Sequence, residues 1–177
     1  MPHSSRRFVS GGRAVRPARR KLVWATAVGT HTGVAAAGKF NDDLLANLEV
    51  AGSSVLGATI MRTHLSIAIT DVTTGAPAMG VYVGLIVSTA PTVTNLDPST
   101  AFGDDWMLLT SFGPGTSNGN VALFGASNVT IYYGSRFDVR SKRKIEELGE
   151  KYFLCVQNSG ANSVNIGTFT RTLIALP

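Results

Sequence analysis

Ala58-Thr59-Ile60-Met61-Arg62-Thr63-His64-Leu65-Ser66-Ile67-Ala68-Ile69-Thr70 is the stretch that decides the fold. Met61, Leu65, Ile67 and Ile69 fall on one side of an extended chain, and Arg62, His64, Ser66 and Thr70 on the other. That is the period of two a half-buried β-strand requires. Thr63 interrupts the apolar set without changing its phase.

The same reading extends outward. Met79, Val81, Val83, Leu85 and Val87 alternate with Gly80, Tyr82, Gly84 and Ile86, where the two glycines leave room for close backbone approach. Further strands are expected at Lys21 to Val28, from Trp106 through Leu109, at Val121 to Phe124, Asn128 to Val139, Tyr152 to Gln157 and Val164 to Leu176. Loops rich in Gly, Pro, Asn and Asp divide them, notably residues 88–105 and 113–120. Two short helices are expected, at 41–49 with Asn41 or Asp42 as its cap, and at 142–149 ended by Gly149. The fold class is therefore all-β: an antiparallel β-sandwich whose eight strands match the jelly-roll number.

Charge divides the 177 residues in two. Residues 1–21 hold Arg6, Arg7, Arg13, Arg16, Arg19, Arg20 and Lys21 and no acidic residue, a local charge of +7. The remaining residues carry 9 Lys or Arg against 11 Asp or Glu, about −2, so the basic character belongs to the N-terminus. With Ser, Gly and Pro between the arginines and little to bury, residues 1–21 read as a disordered or extended basic arm, and residues 22–177 as the sandwich domain. A segregated charge of this kind suits a polyanion. The seven cations can each meet a phosphate and release counterions without reading bases. The bland alternative is a solubilising tail. A second basic cluster, Arg136, Arg140, Lys142, Arg143 and Lys144, lies beside Asp138, Glu146, Glu147 and Glu150, so ion pairs or subunit contacts explain it as well as nucleic acid does.

Only 15% of residues are charged, against about 25% in an average globular domain. A surface covered by neighbouring subunits has this composition, and so does an exposed face rich in Thr and Ser. The single cysteine, Cys155, sits in the apolar run Tyr152 to Val156, which makes it a buried inert thiol made in a reducing compartment and leaves no partner for an intrachain disulfide. Arg6-Arg7-Phe8-Val9 faintly resembles a twin-arginine signal, but five more basic residues follow, and Leu22 to Gly38 is broken by Thr and Gly. No run reaches the roughly 18 apolar residues of a membrane span.

Reactive chemistry is not indicated. His3, His31 and His64 lack Cys, His, Asp or Glu partners at metal-ligand spacing, and Asp42-Asp43 and Asp104-Asp105 are explained by helix capping and loop solvation. No nucleophile elbow, phosphate loop or dinucleotide fingerprint occurs, so no catalytic residue, metal or cofactor is assigned. Asn128-Val129-Thr130 has the glycosylation pattern, but with no signal peptide expected it should not meet that machinery.

The arm Arg13-Ala14-Val15-Arg16-Pro17-Ala18-Arg19-Arg20-Lys21, followed directly by Leu22-Val23-Trp24 and an eight-strand body, resembles the small jelly-roll coat proteins of spherical viruses and phages. The resemblance is architectural, covers most of the chain and implies a non-enzymatic virion protein, made in the host cytoplasm. It implies self-assembly into a shell of copies of itself, with the arm turned to the genome. A phage decoration, vertex or tail-associated protein, tethered to another virion protein by the arm, is the alternative. A cellular nucleic-acid-binding β-barrel is expected to interleave aromatic and basic residues along its strands, and Tyr82, Tyr132 and Tyr133 have no basic neighbours on theirs.

Overall fold

Alternating apolar and polar side chains build nine strands and one short helix in the computed structural model, which describes residues 20–35, 37–50, 52, 54–73, 80–89, 106–112, 120–124, 129–158, 160 and 163–177. In chain order these are β1 (Lys21–Val34), β2 (Lys39–Asp43), α1 (Ala46–Val50), β3 (Thr59–Thr73), β4 (Val81–Ser88), β5 (Trp106–Phe112), β6 (Asn120–Phe124), β7 (Val129–Arg140), β8 (Lys151–Asn158) and β9 (Val164–Leu176). The expected loops at 90–105 and 113–119, with Asp104-Asp105, and arm residues 1–19 lie outside the described residues.

Strand pairing defines the topology. β1 pairs with β9, β2 with β8, β3 with β7 and β4 with β5, all antiparallel, so the chain doubles back as one long ribbon bent between β4 and β5. The ribbon then rolls up, because β9 also pairs with β3, and β8 with β4. One sheet has the order β1-β9-β3-β7-β6 and the other β2-β8-β4-β5. This is a jelly roll, with β6 added to the free edge of β7.

Between the sheets, Ile60, Leu65, Ile67 and Ile69 meet Val81, Val83, Leu85, Leu154, Val156, Ile166 and Ile174 in one buried cluster. Burying each such side chain contributes about 1.5–3 kcal/mol. Tyr152 is fully buried there, which is tolerable because its hydroxyl shares a 2.8 Å hydrogen bond with Thr63 Oγ1. Thr63 lies in turn 3.3 Å from Thr172 Oγ1. Burial pushes the Tyr152 hydroxyl pKa well above its ordinary value.

Four expectations are corrected. Residues 39–43 form a ninth strand on β8, and the helix is confined to Ala46–Val50, while Asp43 Oδ1 still accepts the Leu45 N–H at 3.0 Å in the manner of a cap. Residues 142–149 form no helix. Backbone bonds from Ile60 N–H to the Arg143 carbonyl and from Ile145 N–H to the Ala58 carbonyl tie that segment to the start of β3, and Glu150 Oε2 accepts the N–H groups of Glu146 and Glu147 in a turn. Met61 is not a core residue, because the β3–β9 register shifts between Ile60 and Arg62 and gives its place to the fully buried Ile60. β1 runs past the expected Val28 to Val34 and so takes in His31, which stacks on Phe40 and meets Asp42 Oδ2 at 3.0 Å, joining β1 of one sheet to β2 of the other.

Candidate nucleic-acid interface

Residues 20 and 21 stand at one corner of the sandwich. Of the seven residues expected to bind nucleic acid, Arg6, Arg7, Arg13, Arg16 and Arg19 lie outside the described residues, while Arg20 and Lys21 are exposed where β1 begins. The Arg20 guanidinium donates to Thr59 Oγ1 at 3.4 Å, and Thr59 forms a β-bridge with Lys144. The second basic cluster therefore stands beside the root of the arm. Within it, Arg143 is 3.6 Å from Glu150 and Lys144 is 3.9 Å from Glu146, so local ion pairs do hold part of it.

From that corner the outer face of the five-stranded sheet extends in rows set by register. The first row is Trp24, Leu173, Arg62 and Arg140; the second Thr26, Arg171, His64 and Asp138; the third Val28, Phe169, Ser66 and Arg136. Four arginines and one aspartate give these rows a net charge of +3, counted as 4 − 1. Two large aromatic side chains stand in solvent among them, Trp24 at 39% exposure and Phe169 at 45%. The Arg171 guanidinium lies 4.4 Å from the Trp24 ring centroid, and the His64 ring stacks near Trp24 at 5.9 Å.

Arg62 grips Asp138 with both arms of its fork, Nε to Oδ1 at 2.6 Å and Nη2 to Oδ2. That hydrogen bonding holds the Asp138 carboxyl below its ordinary pKa, with smaller help from the charges of Arg62, His64 and Arg140, and it raises the pKa of Arg62. Asp138 is thus ionised at neutral pH and holds the guanidinium by both arms of its fork. Sequence reading missed this arrangement because it looked for aromatic and basic residues along single strands. The interleaving runs across β1, β9, β3 and β7, and only the register reveals it.

The outer face of the four-stranded sheet is different in kind. Phe153 and Cys155 are buried there beneath Tyr82, Ile86, Trp106 and Leu109. The Trp106 ring lies on Gly84, where a Cβ would come within 2.3 Å of it. Burial, aided by the Asp42 charge, pushes the Cys155 thiol up to about 12, so it is not a nucleophile at neutral pH. Charged groups stand toward one border, where Lys151 donates to Asp43 at 2.8 Å and the carboxylate raises the Lys151 pKa.

Among the described residues, no group of three His, Cys, Asp or Glu is placed to hold a metal ion, and no helix is long and apolar enough to cross a membrane. No protein-family model matches the sequence, and no curated protein does. Among solved structures the chain is similar to chains from two virus structures. A chain of Cocksfoot mottle virus is 12% identical, with 97% of this chain and 95% of that one covered at a TM-score of 0.36. A chain of Desmodium yellow mottle tymovirus is 13% identical, with 100% and 94% covered at a TM-score of 0.35. The jelly roll itself is established by the strand pairing, independently of these likenesses.

Proposed function

We propose that this chain is a virion coat protein that self-assembles into a shell and contacts the packaged genome through its basic N-terminal arm. The observation that carries the reading is the segregated charge of +7 on residues 1–21, joined without a linker to the first strand of a jelly roll whose remainder is about −2. A polycation of that density binds phosphates whatever their sequence, as packaging requires. Its last two residues emerge beside Lys144 and the arginines of the larger sheet, so the arm's charge continues onto the body.

Contact with copies of itself is supported by the low charge content and by the smaller sheet's apolar outer face. Exposed Leu56 and Leu148, at 41% and 90%, offer further apolar contact area. The arm residues Arg6, Arg7, Arg13, Arg16, Arg19, Arg20 and Lys21 carry the genome contact, and nothing in this reading requires catalysis. Negative-stain microscopy of the purified protein, with absorbance at 260 nm, tests the proposal. Closed shells with co-purified nucleic acid are expected. Free protein that instead decorates a preformed virion, through an arm whose charges can be removed without loss, would replace it with the tethered decoration protein.

A further inference from the structure

We propose that the outer face of the five-stranded sheet is a stacking platform for single-stranded nucleic acid, which takes over from the arm where β1 begins. The proposal rests on the genome-contact reading and names a second site for it, on the folded body.

The face has both elements that sequence-independent single-strand binding needs, a cationic track and aromatic side chains on which bases stack. Arg62, Arg136, Arg140 and Arg171 make the track, and Trp24 and Phe169 supply exposed aromatic side chains. By register the two aromatics are two rows apart, about 13–14 Å along the strands, with Arg171 in the row between. Arg171 already lies over the indole, so a base meeting Trp24 joins an existing stack of ring and guanidinium planes. The Asp138 fork keeps Arg62 in a fixed orientation for a phosphate oxygen.

Charge complementarity and position select the occupant. The face is net positive, and it starts at the corner where Arg20 and Lys21 enter, so a strand bound by the arm is delivered to Trp24 without crossing an acidic surface. A single strand fits and a duplex does not, because stacking on Trp24 and Phe169 needs bases free of their partners, and a broad sheet face cannot enter a groove.

The test uses the full-length protein, freed of nucleic acid, with labelled oligo(dT) of about 20 nucleotides and a duplex of the same length. Trp24→Leu with Phe169→Ser should weaken single-strand binding by at least about fivefold for each aromatic lost, while duplex affinity and the salt slope stay unchanged. Gln in place of Arg136, Arg140 and Arg171 should lower the single-strand salt slope by up to about 2. Trp24→Phe retains a stacking ring and guards against misfolding: it should bind like the parent yet lose the fluorescence quenching that oligo(dT) produces.

Gln at Arg13, Arg16, Arg19 and Arg20 provides the comparison. If those changes weaken binding and the aromatic changes do not, the arm reading stands and the platform falls. If neither set has an effect, both fall. Equal losses for single strand and duplex on removing the aromatics would also overturn the platform. So would impaired shell assembly with unchanged oligo(dT) binding, which would assign the face to a second copy of the chain.

Discussion

The two outer faces of the sandwich are both built on antiparallel sheets of alternating strands and have opposite characters. On the larger sheet, Trp24 and Phe169 stand in solvent between arginines; on the smaller, Phe153 is 5% exposed and Cys155 is fully buried under a second apolar layer. An aromatic side chain covered by its neighbours contributes to folding, while one left exposed among cations contributes little to stability and is available to a ligand. The contrast teaches which face to examine for a ligand, the one whose aromatic side chains are left in solvent.

The largest expected effect is a stability difference between two phenylalanines. Phe153→Ala should cost about 3–5 kcal/mol, because it empties a covered site, and Phe169→Ala under about 1 kcal/mol. Thermal or urea unfolding of the two variants measures this, and equal losses would erase the distinction between the faces. Next comes Gly84→Ala, which places a Cβ against the Trp106 ring. It should destabilise by about 1–3 kcal/mol and shift Trp106 emission to the red as the ring is displaced outward. An unshifted spectrum would mean that the apolar layer is looser than described.

The smallest effect concerns Asp138. Its pKa is lowered in the folded state, so the Arg62 pair stabilises the fold above the ordinary carboxylate value of 3.8 and loses that contribution as pH falls through the lower folded-state value. Carboxyl NMR titration should find Asp138 ionising below an ordinary aspartate, and Arg62→Gln should return it upward. Stability near neutral pH should not respond to pH through this pair.

Much of the architecture is readable from the residues, because β3, β4 and β9 bury one face each and so must alternate. What escaped reading was decided by partners distant in sequence. Asn41 and Asp42 read as helix caps, but β8 supplies five residue pairings that hold residues 39–43 extended, and Asp43 takes the capping role instead. Ile145 and Leu148 share a helical spacing, yet Ile145 is drawn into the core by bonds to residues 57 and 58 while Leu148 stays 90% exposed. The platform was hidden for the same reason. Trp24, Arg171 and Arg62 are far apart in sequence, and only β9 lying between β1 and β3 brings them together.

Genome contact through the arm is the central claim, and the salt dependence of binding tests it most directly. Seven arm charges set an upper limit of roughly −5 for their share of the single-strand slope, at about 0.7 counterions per contact. Gln at Arg13, Arg16, Arg19 and Arg20 should reduce the slope by up to about 3 and leave the unfolding midpoint where it was. A slope that is unchanged after all four charges are removed would contradict the account.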